Sequence, residues 1–324
     1  MNRALLIALP LGLLLAVAIA LWCGIDAVGA ALASAGWPAL LAMTAYHLVP
    51  KALCGAAWWT LLPRGSGAGL AAFAWFRWLR DGANDLLGVI PAAGEIASIR
   101  AMCLRGIALP SAIASTVVDL TVEMAAQCLF IAMVLVLMLA NHPGAAVVGL
   151  AAAGLGVMIV LLLGLVLAQR LGWSVLDRLL GSLSSGLGTR LAVAGTSVGA
   201  AVQRLHRDRR RLVTALALHL GAWIVGVGEG WIGLAMMGQA PAWHDVLLLE
   251  TCAFVLRSVG FFLPGAIGIQ EGGYVLIAPL IGIAPEAALA LSLLKRGREL
   301  ALGVPACLAW QAIESGRHRA RRAA

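Results

Sequence analysis

Lys295, Arg296, Arg298 and Glu299 fall within one short stretch of an otherwise apolar run near the C-terminus. At the centre of a membrane helix each such charge costs on the order of 2.5–3.5 kcal/mol, so the cluster requires partners or a polar ligand. Lys295 and Glu299 are four apart and can pair along one helix. Arg296 and Arg298 then have Glu271, Glu250, Glu95 or a ligand to meet. Glu271 itself follows a glycine-rich break, Leu263-Pro264-Gly265-Ala266-Ile267-Gly268-Ile269-Gln270-Glu271-Gly272-Gly273-Tyr274. Pro264 has no N–H and the glycines disfavour helix, so irregular backbone is expected there. At membrane depth such backbone survives only when buried in protein or lining a water-filled cavity. A related stretch, Val89-Ile90-Pro91-Ala92-Ala93-Gly94-Glu95, occurs in the first half.

Further polar groups interrupt the apolar segments. His47 and Lys51 lie in one, and a lone intramembrane Lys is either packed against its neighbours or functional. Arg77, Asp81 and Asp85 share a helix face at four-residue spacing, as do Asp119, Glu123 and Gln127. Glu250 and Arg257 are a further same-face pair. Asp81 and Asp85, with Asn84 between them, are similar to the paired acids that hold magnesium diphosphate in membrane prenyltransferases. No second acidic motif accompanies them, and Arg77 and Arg80 offer both aspartates ordinary partners. No H-E-x-x-H, G-x-S-x-G or P-loop occurs, and the six histidines are isolated in sequence. Cys23, Cys54, Cys103, Cys128, Cys252 and Cys307 show no C-x-x-C spacing and read as small apolar packing residues. The expectation is no catalytic residue, no cofactor and no metal site, with a lipid-modifying enzyme as the alternative.

The elements that must position these groups follow from composition. With 62% hydrophobic and 12% charged residues and a mean hydropathy of +0.96, against about 25% charged residues in soluble domains, this is an integral membrane protein. Its 324 residues have room for roughly six to nine spans of about 20 residues. The net charge of +8 fits the positive-inside bias better than nucleic-acid binding, since Trp173 is the one aromatic residue near the arginines of 169–211. That stretch is expected to be a basic cytoplasmic connection whose amphipathic helices lie against anionic headgroups. The runs 4–22, 40–62, 109–139, 145–167, 212–237 and 287–310 are expected to cross the membrane, with both termini cytoplasmic and 24–38 an external loop. The first run is expected to remain uncleaved, because Trp22 spoils a signal-peptidase pattern.

Loop charges place both ends of 65–106 inside and both ends of 246–283 outside. The sequence therefore predicts an all-α, polytopic protein of about six full spans plus two re-entrant hairpins, entering from opposite faces as a candidate inverted repeat. It forms a single domain, 1–324, with candidate halves 40–168 and 212–310. The hairpin approaches are also long enough to span, which leaves eight or more crossings open.

Pro264-Gly265 through Gln270-Glu271-Gly272-Gly273, then Ala290-Leu291-Ser292-Leu293-Leu294-Lys295-Arg296 and Arg298-Glu299, resemble the flippase-like membrane region of lysylphosphatidylglycerol synthases and their stand-alone relatives. Val118-Asp119-Leu120-Thr121-Val122-Glu123, and Pro91 to Glu95 with Arg100, match the same pattern. Within that superfamily the chain looks most like the hopanoid-biosynthesis-associated membrane proteins. The resemblance implies a bacterial inner-membrane protein that handles lipids, with hopanoids or phospholipids as substrate and hopanoid-biosynthesis proteins as partners. The soluble aminoacyltransferase domain of the bifunctional synthases is not expected here, nor amino-acid transfer. Together these readings make Glu95, Arg100, Arg257, Gln270, Glu271, Lys295, Arg298 and Glu299 the candidate substrate-binding residues. Pro91, Gly94, Pro264, Gly265, Gly268, Gly272 and Gly273 are the backbone breaks. A non-transporting accessory that docks biosynthetic enzymes on the basic connection is a third expectation.

Overall fold

The computed structural model describes residues 3–62, 68–87, 90, 92–141, 146–181, 186–239, 241–259 and 266–323. Pro91, Pro264 and Gly265 lie outside them. Among the described residues the chain is all-helical, without a strand. The helices are α1 (Arg3–Cys23), α2 (Ile25–Leu61), α3 (Leu70–Leu86), α4 (Ala93–Leu104), α5 (Leu109–Asn141), α6 (Ala146–Gly181), α7 (Gly186–Arg207), α8 (Arg209–Met236), α9 (Trp243–Val259), α10 (Ile269–Ile277) and α11 (Pro285–Ala323). A 3-10 turn, Ala278–Ile281, follows α10.

Four helical stretches are long and apolar enough to cross a membrane: Ile25–Leu61, Leu109–Ala140, Ala151–Gln169 and Arg209–Met236. Of the other two expected spans, α11 has ample length but carries the cluster from Lys295 to Glu299. In α1 the stretch Leu13–Cys23 is apolar but short. The supposed external loop 24–38 is instead the first part of α2, which kinks at Gly36 (φ 61°) just before Pro38. The proline lacks the N–H that would continue the ladder, so the kink relieves a clash that a straight helix could not accommodate. The described residues of the basic connection 169–211 are likewise helical apart from the N-cap Asp208, and belong to the end of α6, to α7 and to the start of α8. On α7, Val198, Ala201 and Val202 are buried in a core with Ala112, Ala114 and Val118 of α5, while Arg204 and Arg207 are exposed.

Two helix–break–helix units hold the polar groups in place. In the first, α3 leads to α4, whose N-cap Ala92 is left-handed (φ 60°) and whose third residue is Glu95. In the second, α9 leads to α10, whose N-cap Gly268 has φ 82° and whose third residue is Glu271. A carboxylate at that position faces the free N–H groups and positive end of its helix. Glu271 uses it fully, accepting from the Gly268 N–H at 2.7 Å as the return half of a capping box. In the first unit Asn84 of α3 does the equivalent work: its Oδ1 accepts from Gly94 N at 2.8 Å and its Nδ2 donates to Glu95 at 3.1 Å.

Glycines set how closely these units approach. A Cβ on Gly94 would lie 2.1 Å from the Arg80 carbonyl oxygen, and one on Gly82 would meet Ala306 and Gly303 of α11 at 2.7 and 3.1 Å. Close backbone contact of this kind is how membrane helices pack when hydrophobic exclusion of water is absent. The bare face of Gly272, by contrast, points to Ile19 of α1 at an ordinary 3.4 Å. Gly94→Ala is therefore expected to lower stability by about 1–3 kcal/mol through overpacking, and Gly272→Ala to have little effect. Thermal melting of the two variants in detergent checks this, with equal melting temperatures as the contrary result.

Candidate functional site

Seven helices each send one stripe of residues to a common cavity of 410 Å³. The stripes follow helical spacing: His47 and Lys51 from α2, Asp81 and Asp85 from α3, Glu123 and Gln127 from α5, and Glu250 and Arg257 from α9. Residues three or four apart share a face, so each helix is amphipathic toward the protein interior and apolar outside. Gln270 and Tyr274 of α10, Lys295, Arg298 and Glu299 of α11, and Glu229 of α8 complete the polar wall. Opposite chemistry comes from Phe130, Trp223 and Phe254, whose rings pack edge-on or tilted at centroid separations of 5.8 and 4.5 Å.

Ion pairs close most of the charge. On one side Arg77 grips Glu123 through two N–H donors at 2.6 and 2.9 Å and reaches Asp81 at 2.9 Å. Arg80 joins Asp119 and Glu123 at 2.8 and 2.9 Å. Lys51 donates to Asp81 at 2.9 Å, tying α2 to α3. On the other side Lys295 meets Glu250 at 2.6 Å, and Tyr274 donates to the same carboxylate at 3.0 Å. Arg298 reaches Glu229 at 3.1 Å, which also lies 2.6 Å from His47 Nδ1. Arg257 donates to Gln270 at 2.7 Å and to Glu299 at 2.8 Å. Its distance to Asp85 is 3.9 Å, which among the described residues bridges the two sides. The wall holds five Lys or Arg and six Asp or Glu among the described residues, so it is close to neutral as a whole.

Of the residues singled out from sequence, Arg257, Gln270, Lys295, Arg298 and Glu299 line this cavity. Three others are placed elsewhere. Arg100 is a half-exposed partner of Glu314 at 3.0 Å, Glu95 is held by Asn84, and Glu271 is divided between the Gly268 cap and Arg296. Of the expected backbone breaks, Gly268 is the N-cap of α10, whereas Gly94, Gly272 and Gly273 are helical, within α4 and α10, where the missing Cβ allows close packing; a Cβ on Gly273 would meet Leu256 of α9. The Lys295–Glu299 pair within α11 does not form. Lys295 turns to Glu250, while Glu299 takes Arg257 and Arg296. His47, Glu123, Gln127, Glu229 and Tyr274 were absent from the sequence-based site. The signal for the ionisable ones was their place within apolar spans; which of them meet depends on helix order and tilt.

A protein of this composition, with an interior cavity that is charged on one wall and aromatic on another, invites comparison with membrane proteins that handle amphipathic molecules. The sequence profile described as the lysylphosphatidylglycerol synthase TM region matches residues 9–307. The chain belongs to this family. Searches of curated proteins and of solved structures return no significant match. Membership in the lysylphosphatidylglycerol synthase TM-region family relates the chain to lipid handling in a membrane, and the matched range contains every cavity-lining residue named above.

The cavity charges depend on one another in a way the surface pair does not. Glu229→Ala leaves buried Arg298 with only the longer 3.6 Å contact to Glu299 and takes the carboxylate from His47 as well, and is expected to cost about 3 kcal/mol. Glu314→Ala removes only the half-exposed Arg100 pair and should cost at most about 1 kcal/mol. Comparative melting in detergent should rank them in that order; equal losses would contradict the structural role of the cavity network.

Proposed function

We propose that this protein binds the headgroup of an amphipathic lipid in the cavity and moves the lipid across or out of the bacterial inner membrane. The observation that carries this reading is the pairing of a near-neutral charged wall with the Phe130–Trp223–Phe254 wall in one cavity. A headgroup can exchange for paired side chains on the first, while an apolar stem lies against the second. Family membership supports the lipid class, and the hopanoid resemblance makes a hopanoid the first lipid to test. In this reading α3–α4 and α9–α10 are re-entrant hairpins entering from opposite faces, both termini are cytoplasmic, and Arg257, Gln270, Lys295, Arg298 and Glu299 contact the headgroup. Discontinuous helices near the bilayer midplane are where secondary transporters hold substrate.

Arg257 is the residue to change, because Arg296 remains at 3.1 Å to hold Glu299 after its loss. In liposomes containing the purified protein and a fluorescent lipid in both leaflets, the wild type should speed loss of inner-leaflet fluorescence to an external quencher. Arg257→Gln should slow it about tenfold, the effect of one charge-assisted hydrogen bond of about 1.5 kcal/mol. No acceleration by folded wild-type protein across phospholipid and hopanoid probes would overturn transport. In cells, hopanoid of normal total amount but trapped in the inner membrane on gene deletion would support the substrate. A chemically altered or missing hopanoid would favour an enzyme instead.

A further inference from the structure

Cys54 of α2, Glu123 of α5 and His219 of α8 are distant in sequence, yet one potential ligand atom from each lies within 4.8 Å of the others. Cys54 and Glu123 face the cavity, and His219 is fully buried behind them. The His219 ring is oriented by Asp119, whose Oδ1 lies 3.0 Å from Nε2. Its other nitrogen, Nδ1, has no hydrogen-bond partner. A carboxylate on one imidazole nitrogen and an open position on the other is the arrangement that fixes a metal-ligating histidine. Cys54 forms no disulfide, and its thiol interacts with the His219 ring, so the two groups are already in register for a shared ion.

We propose that Cys54, His219 and Glu123 form a binding site for a thiophilic divalent cation of the zinc class, at the inner wall of the cavity. Thiolate sulfur, imidazole nitrogen and one carboxylate oxygen suit zinc and disfavour magnesium or calcium, which take oxygen ligands. Binding takes the thiolate form of Cys54, so its proton leaves to water in the cavity as the metal enters. Glu123 is engaged by Arg77 and Arg80, and Arg80 keeps Asp119 when Glu123 turns to the metal. The cavity supplies the entry path and a fourth position for water. A cation here ties α2, α5 and α8 together beside the headgroup site, and the inference does not depend on lipid transport.

The test uses full-length protein in detergent, with any affinity tag removed, stripped by chelator and titrated with zinc chloride. A single tightly held zinc per chain is expected after dialysis, with affinity reduced by more than about tenfold in Cys54→Ala and unchanged in Cys252→Ala, which removes another buried thiol. Zinc should also protect Cys54 of a variant lacking the other five cysteines from maleimide labelling. Wild-type protein that retains no zinc, equal retention by Cys54→Ala, or labelling of Cys54 unaffected by zinc would each overturn the proposal. The protection measurement decides the matter where Cys54→Ala does not fold.

Discussion

A charge taken out of water keeps its ionised form only where opposite charge and hydrogen bonds replace its hydration, and the interior of this protein is built around that requirement. Arg80, Asp119 and Glu229 are almost wholly enclosed, and each is held by at least two polar partners from other helices. Such networks contribute little net stability compared with a well-packed apolar core, but removing one member leaves its partner stranded. The consequence is specificity. Pairing favours the helix arrangement in which these charges meet, and that arrangement contains the polar cavity.

The two broken helix units are the means by which charge reaches the cavity. In each, a position with positive φ caps a second helix that carries a glutamate in its first turn. They differ in how that glutamate is used. Glu271 caps its own helix and holds Arg296, whereas Glu95 relies on Asn84 of the preceding arm. Both glutamates thus secure the breaks, and the cavity is lined by residues on the faces beside them. Gly82 and Gly94 permit the backbone approach that makes this geometry possible.

The division of the cavity into charged and aromatic walls suits a ligand that is itself divided, in keeping with a family named for a lipid synthase. Because the charged wall is internally paired, it offers no site of one sign, and a polar ligand would have to exchange partners with the side chains already there. Arg257 sits at the natural place for exchange: it is the least enclosed cation of the α11 network, and it spans Gln270, Glu299 and Asp85. An ion pair whose members have alternative partners can open at smaller cost than an isolated one, since each charge remains compensated while contacts change.

Class and raw material were legible in the sequence. Apolar periodicity and low charge determine a helical membrane protein, and intramembrane cost marks Asp81, Arg257, Lys295, Arg298 and Glu299 as residues that must face protein, water or ligand. Breaks before α4 and α10 were visible because proline and glycine in the same short stretch disfavour continuous helix, although the left-handed positions prove to be Ala92 and Gly268, and Gly94 lies within α4. What the sequence could not determine is which charges meet. Local spacing suggested Lys295 with Glu299, but the tertiary arrangement gives Lys295 to Glu250 and Glu299 to Arg257. It likewise moved Arg100 to the edge with Glu314 and brought Cys54, Glu123 and His219 together from three helices. Spacing along one helix fixes which residues share a face, whereas contacts between helices depend on order, tilt and depth, and those are set only when the whole bundle packs.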